Sequence, residues 1–369
     1  MEAGWTHTGH AQQIVFGAGA LTRLPELLRT IGARRVLLVT TKGRAASEEG
    51  ERVTRAIGTS LVSTFDGTRS HVPSPVVQEA LRQARRDAVD AIVSFGGGSC
   101  ADLGKAICFF TEQESGIPST AWIDRPALPH VSIPTTYSGA ELTGGFGMTD
   151  PATRVKSGGG GPTCVPVAAV YDPELTLSTP VRVSAETGLN ALAHCVEAVW
   201  SPRRTPEAEA IALAGARRIS AALPLVADDP GDVTVRAAMF EGAVLGGRCL
   251  QNAGMGVHHG LAQLVGGRTG IPHGLANAML LAHSIRFNAD AVPDEVRRIG
   301  EALGSSASAA DAVTALVERL GLPSQLGDCG VTLEDVDAVA QQAPSNRNVA
   351  NNPRPVTEDD AKGILLAAY

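Results

Sequence analysis

Ala91-Ile-Val-Ser-Phe-Gly-Gly-Gly-Ser-Cys-Ala-Asp-Leu-Gly-Lys105 decides the fold class. Its first five residues form a short apolar run of the kind found in a strand buried on both faces. Three glycines follow, and the pattern then turns helical. The same order of strand and helix repeats to either side. Gln13–Phe16, Arg35–Thr40, Leu61–Phe65 and His130–Ile133 read as further strands. Leu21–Ile31, Ser47–Ile57 and Pro75–Ala88 carry apolar residues at helical spacing, with Ser74 as an N-cap before Pro75. Strand and helix in alternation predict a parallel, Rossmann-like sheet covered on both faces, an α/β domain over residues 1–172. From about Thr176 the strand signals stop. Ser184–Trp200, Pro206–Leu223, Val233–Asn252, Gly260–Val265, Leu275–Phe287, Val292–Leu303, Ala307–Leu320 and Leu333–Gln342 are helical by pattern, an all-α domain over 173–369 with its boundary near Asp172-Pro173. Gly158–Gly161, before Pro162, reads as a mobile surface loop beside a ligand.

The totals agree with two domains, since 369 residues exceed what one hydrophobic core holds. A net charge of -7, no dense Lys/Arg run and 4% aromatic residues argue against nucleic acid as a partner. No window reads as a membrane span; Ala-rich Glu207–Val226 is interrupted by Glu209, Arg217 and Arg218. Met1-Glu-Ala-Gly-Trp-Thr-His7 has neither the basic start nor the apolar run of a signal peptide, so a cytoplasmic protein is expected. The cysteines at 100, 108, 164, 195, 249 and 329 show no C-x-x-C spacing and read as reduced, buried thiols.

Two glycine-rich turns compete for a phosphate-bearing cofactor. Gly17-Ala-Gly19-Ala-Leu-Thr22 follows a strand but lacks the third glycine of a dinucleotide fingerprint. Gly96-Gly97-Gly98-Ser99 is the better candidate: the backbone there can approach a pyrophosphate, the N–H groups of the helix start point at it, and Ser99 adds a hydroxyl. Asp102, one turn on, would repel phosphate and is read as holding ribose or bracing the turn. Pro134-Thr135-Thr136-Tyr137-Ser138-Gly139-Ala-Glu141 follows the next strand and brings hydroxyls to the carboxyl edge, where open α/β sheets bind ligands.

The helical part carries a different chemistry. Gly254-Met-Gly-Val-His-His-Gly-Leu-Ala-Gln-Leu-Val-Gly-Gly-Arg-Thr-Gly-Ile-Pro-His273-Gly-Leu-Ala-Asn277 holds three of the nine histidines. His259 and Gln263 share a helical face, Pro272-His273-Gly274 opens a new element, and upstream Asn190 and His194 are again spaced i, i+4. Side chains so spaced can converge on one small pocket between helices.

Taken in order, Gly96-Gly97-Gly98-Ser99-x-x-Asp102-x-x-Lys105, Pro134-Thr135-Thr136-x-x-Gly139-x-Glu141, Asn190 with His194, and His259 followed by Pro272-His273-Gly274 resemble the iron-containing alcohol dehydrogenase superfamily. Within it, His71-Val-Pro73, Tyr171-Asp-Pro-Glu-Leu-Thr-Leu177, the pair His258-His259 and Asn352-Pro-Arg-Pro-Val356 look most like maleylacetate reductases. The resemblance implies a dehydroquinate-synthase-like fold, NADPH or NADH in the cleft and a homodimer. Candidate cofactor contacts are Thr41, Gly96, Gly97, Gly98, Ser99, Asp102, Thr135, Thr136, Ser138 and Lys156. The second strand ends Val39-Thr40-Thr41-Lys42 with no acid to repel a 2′-phosphate and with Arg44 nearby, which suits NADPH alongside NADH.

Metal-dependent members of that superfamily hold their ion with one Asp and three His, and the matching positions here are Asn190, His194, His259 and His273. Asn offers a neutral carbonyl oxygen where Asp would bring a full charge, so a metal-free site is the expectation, with the alternative that the three histidines hold Zn²⁺ as a His₃ site with an open position. Asn190, His194, His259 and His273 are then the candidate catalytic residues. They would supply hydrogen bonds or a proton as hydride reaches an activated carbonyl or enone. Gln263 stands where relatives carry a proton-passing His, and Gly274-Leu-Ala-Asn277 looks more like the alcohol dehydrogenases, so the substrate is a small molecule, a dicarboxylate or another compound. Arg268, Lys156 and Arg347 are the cations considered for substrate carboxylates, against the alternative of solvated surface charges. Three functions stay open: a metal-independent reductase of a small enone or keto acid, a metal-dependent (Fe or Zn) alcohol dehydrogenase on an aldehyde or ketone, and a non-redox protein that kept the fold.

Overall fold

The computed structural model describes residues 9–116, 126–152, 156–305 and 308–369. The chain forms two compact units, Gly9–Thr136 with Ala140–Ser178, and Thr179–Tyr369 with Tyr137–Gly139. In the first, β1 (Gln13–Phe16), β2 (Val36–Val39), β3 (Leu61–Phe65), β4 (Ala91–Gly96) and β5 (His130–Pro134) precede an antiparallel pair, β6 (Gly145–Thr149) and β7 (Lys156–Gly160), and are followed by β8 (Ala168–Tyr171). The sheet has the order β1-β8-β5-β4-β2-β3 and is parallel throughout. Side chains alternate across it. Val36, Leu38, Val93 and Phe95 join Leu24, Leu28, Val53 and Ile57 on one face. Leu37, Val39 and Ile92 join Val77, Leu81, Leu103 and Ile107 on the other. Because β2 leads outward to β3 while β4 leads the opposite way to β5, the strand order reverses between β2 and β4. That reversal opens a crevice at the carboxyl ends of those two strands.

The two-stranded pair was not anticipated, and Gly158–Gly161 is corrected by it. Gly158, Gly159 and Gly160 are not a mobile loop but pair with Gly147, Phe146 and Gly145. A Cβ at Gly158 would come within 2.3 Å of the Phe146 carbonyl oxygen, so glycine here permits a tight pairing. Ser74 is likewise corrected: Pro73 occupies the N-cap and Ser74 is the first residue of the helix Ser74–Arg86, with no side-chain cap.

The α/β unit runs on to Ser178 because Asp172, fully buried, ties the next turn to the sheet. Its carboxylate accepts from Gly19 N, Leu21 N and Glu174 N at 3.2, 3.1 and 3.1 Å. In the helical unit Val181–Trp200 is the central element, packed against Pro206–Asp228, Val233–Ala253 and His273–Asn288. Gly246 lets Val233–Ala253 lie close, since a Cβ there would be 2.7 Å from Ala191 O. Val257–Thr269 is longer at both ends than the sequence pattern indicated, and Glu358–Ala367, started by a Thr357/Asp360 capping box, carried no anticipated helix. Ala309–Arg319 is capped by Ser308; Ala307 and Met1–His7 lie outside the described residues.

One expectation about membranes needs correction. Pro206–Asp228 has the length and composition to cross a membrane, with a mean hydropathy of 1.4 over its most apolar window. Its apolar face packs on the neighbouring helices, which accounts for that composition. All six cysteines are free thiols, five buried and Cys329 half-buried.

Candidate active site

In the α/β unit the two glycine-rich turns differ in what their N–H groups already bond. At Gly17–Thr22 the Asp172 carboxylate occupies Gly19 N and Leu21 N, so that helix start is capped from within. At the second turn the helix Gly98–Glu114 begins with no side-chain cap, and Gly97, Gly98 and Ser99 are half-buried at the β2/β4 reversal. An uncapped start of a long helix at that crevice fits a dinucleotide pyrophosphate. Gly96 is the position where the backbone itself demands glycine: its φ is 144° and a Cβ would lie 2.7 Å from Cys100 Sγ. At Gly97 the space is limited instead by Thr136, whose Cγ2 would sit 3.2 Å from a Cβ. Thr135 N bonds Gly96 O at 2.9 Å, joining the two loops.

Asp102 is ion-paired within the turn. Its carboxylate is 2.8 Å from Lys105 Nζ, which is fully buried and also donates to Ala140 O at 2.8 Å, to Thr143 Oγ1 at 3.3 Å and to Gly145 O. Thr41 caps the short turn Lys42–Ala45 by accepting from Arg44 N at 3.3 Å. Lys42 is exposed and Arg44 reaches Ser178 Oγ at 2.7 Å. Lys156 opens β7, and its side chain lies outside the described residues. Glu141 is an interior brace, with Oε1 accepting from Tyr171 Oη at 2.6 Å and burial pushing its carboxyl up.

In the helical unit the structure gathers the predicted histidines. The rings of His194 and His259 stack with centroids 4.6 Å apart and planes at 19°, and His273 stands 6.1 Å from His259. Asn190, one turn before His194, donates its amide N–H to Ser138 O at 3.4 Å and leaves Oδ1 buried without a partner. Ser138 Oγ, His194 Nδ1, His259 Nε2 and Asn277 Oδ1 are also buried and unpartnered. Such a concentration of unsatisfied polar atoms marks a place built for a ligand. Ser138, foreseen as a cofactor contact, groups with this unit.

Sequence reasoning missed Glu197. It lies on the face of Val181–Trp200 that carries Asn190 and His194, at i+7 and i+3, and that spacing was the available signal. The fully buried carboxylate accepts from His258 N at 3.0 Å and His259 N at 3.4 Å, and meets His259 Nδ1 at 2.7 Å. His258, with no exposure, places Nε2 2.9 Å from Asn277 O and Nδ1 3.2 Å from His259 Nδ1, a structural position. Burial holds His194, His258 and His259 below the usual imidazole range and pushes Glu197 up, against the N–H donors around it. The substrate-cation candidates fare worse. Arg268 is paired with Asp335 at 2.6 Å and Glu334 at 3.6 Å, and Arg347 is exposed.

An iron or zinc ion would find here three imidazoles and the neutral Asn190 oxygen. Glu197, whose carboxylate lies within 4.8 Å of ring nitrogens of His258 and His259, is already bonded to a ring N–H and to the backbone. Three imidazoles can hold Zn²⁺ with an open fourth position, but without an anionic oxygen the set is a weaker one for a divalent ion than an Asp with three His.

Comparison with known proteins agrees over both units. The family described as iron-containing alcohol dehydrogenase matches residues 11–173, and that described as the C-terminal part of the Fe-containing alcohol dehydrogenase family matches residues 184–369. A maleylacetate reductase of Burkholderia cepacia is 36% identical, over 97% of this chain and 95% of its own. One from Rhizobium sp. strain MTP-10005 is 34% identical, over 99% and 97%. The crystal structure of maleylacetate reductase from Agrobacterium tumefaciens superposes with a TM-score of 0.87 at 32% identity, covering 100% of this chain and 98% of that one.

Proposed function

The chain belongs to the iron-containing alcohol dehydrogenase family and is an oxidoreductase, and on that premise we propose that it is a metal-independent, NAD(P)H-dependent reductase of a small enone or keto acid of the maleylacetate kind. The observation that carries the metal-independent part is the neutral donor set, Asn190 with three imidazoles, whose neighbouring carboxylate is tied behind His259. The non-redox alternative has nothing on its side once the family is known.

In this reading the helix start at Gly97–Ser99 binds the pyrophosphate, and Lys42 with Thr41 accommodates the 2′-phosphate or 2′-hydroxyl. When bound, the reduced nicotinamide supplies a hydride. The chain's own residues hold the substrate oxygen and manage the proton. Asn190 and His194 orient the polarised group, and His259 relays the proton that balances the hydride: its bare Nε2 takes a proton from solvent and hands it to the substrate, while Glu197 retains Nδ1–H and offsets the transient imidazolium charge. A carbonyl or enone flanked by carboxylates is electrophilic enough that hydrogen-bond donors replace a Lewis acid. A homodimer and a cytoplasmic location belong to the same proposal.

A second reading, a metal-dependent alcohol dehydrogenase, is favoured by the lone-pair atoms Asn190 Oδ1, His194 Nδ1 and His259 Nε2, which have no partner in the protein. Turnover of maleylacetate with NADPH or NADH, followed by loss of the reduced-nicotinamide absorbance with and without chelator, separates the two. Activity confined to simple aldehydes and dependent on added iron or zinc would replace the first reading by the second.

A further inference from the structure

We infer that Glu197 is the positioning residue that selects which ring nitrogen of His259 meets the substrate, by holding the opposite nitrogen in its N–H form. The argument is one of donors and acceptors. A carboxylate only accepts, so at 2.7 Å from Glu197 Oε2 the Nδ1 of His259 carries the hydrogen. A second neighbour demands the same tautomer. Asn277 O also only accepts, which places the hydrogen of His258 on Nε2, 2.9 Å away. His258 Nδ1 is thereby bare, and it faces His259 Nδ1 at 3.2 Å. Two independent contacts fix one proton, and His259 Nε2, buried and without a partner, is left to the pocket.

A plain helix cap does not account for this carboxylate. Val257–Thr269 starts at Gly256, where a local Ser, Asn or Asp would satisfy the first N–H groups at little cost. Instead a fully buried Glu arrives from another helix, and a Cβ at residue 256 would lie 2.8 Å from its Oε1. Burying a carboxylate is costly unless it is bonded on all sides, and here one oxygen caps the helix while the other reaches the ring. The same geometry recurs wherever a carboxylate orients a working imidazole.

The effect on rate rests on the proposed reductase reading; the tautomer does not. The test uses the full-length protein with Glu197→Gln, whose amide oxygen still accepts from His258 N. Nitrogen-15 NMR of histidine-labelled protein, assigned by the resonances lost in His259→Gln, reports the tautomer. Kinetics with maleylacetate and NADPH report kcat and KM. The expected result is Nδ1–H with a bare Nε2 in the wild type, a weaker preference in Glu197→Gln, where only His258 Nδ1 still favours Nδ1–H, and a kcat lower by about 10²-fold or more with KM for NADPH and the melting midpoint little changed. An Nε2–H tautomer in the wild type overturns the inference even if the variant fails to fold, as does a variant that keeps wild-type kcat. A wild type that binds NADPH and shows the Nδ1–H form but leaves maleylacetate untouched refutes the substrate reading instead.

Discussion

Replacing Gly97 with Val tests whether the triple-glycine turn is the cofactor site. The backbone tolerates the change, because Gly97 has φ -80° and ψ -175°, which valine adopts readily. Its Cβ would stand 3.2 Å from Thr136 Cγ2 and 3.4 Å from Thr136 Oγ1, a few tenths of an ångström too close, an overpacking worth about 1 kcal/mol. The two added methyls occupy the approach to the uncapped start of Gly98–Glu114. A pyrophosphate held off that start loses charge-assisted N–H bonds worth about 1.5–3 kcal/mol each. Losing one or two of them weakens NADPH by roughly 10²-fold in Kd. Fluorescence titration of NADPH into wild type and Gly97→Val, with melting midpoints recorded on both, measures this. An unchanged Kd in a folded variant would refute the placement, and the Asp172-capped turn at Gly17–Thr22 would not inherit it, since its N–H groups are spoken for.

Three further outcomes follow from the same geometry. His259→Ala should lower the reductive rate by about 10²-fold with little change in NADPH affinity, whereas His258→Ala should chiefly destabilise the fold, by about 1–3 kcal/mol, as Asn277 O loses its donor. Equal kinetics in wild type and His259→Ala would remove that residue from the mechanism. Stability should fall in acid: burial holds His130 at about 3 in the folded state against 6.5 unfolded, so the unfolded chain binds the extra proton. That contribution is intact above pH 6.5 and is lost at about 1.4 kcal/mol per pH unit as pH falls from there toward 3. Unfolding free energies of His130→Asn should show a slope shallower by about one proton over that window, and an identical slope would contradict the assignment. Gly246→Ala should push Val233–Ala253 away from Ala191 and cost about 1–3 kcal/mol, read as a lower melting midpoint; no change would mean the helices are not in contact there.

The parts of the fold legible in the sequence were those whose pattern reflects burial. β4 is buried at all six positions and reads as a run that is apolar but for Ser94 and its terminal Gly96, and the amphipathic helices Glu48–Ile57 and Leu333–Gln342 show their spacing directly. β7 was hidden because its strand identity depends on glycines that pair closely, a residue type that ordinarily signals a loop. β8 was hidden by its composition, since two of its four residues are Ala, a weak strand former. At the site, the histidines and Asn190 were visible by residue type and spacing. Glu197 was not, since a single Glu on an apolar helix reads as a surface position until its burial and its bond to His259 are seen. The same limit applied to Arg268: only the position of Asp335 shows that it is already paired.

The most direct test of the central claim is metal content and activity measured on one preparation. Protein purified without added metal is analysed for iron and zinc, then assayed for NADPH-dependent reduction of maleylacetate before and after exhaustive treatment with a chelator. A site made of Asn190 and three imidazoles, with Glu197 turned to the back of His259, predicts far less than one metal per chain and undiminished turnover in chelator. One iron or zinc per chain, with turnover abolished on its removal and restored on its return, would contradict the account.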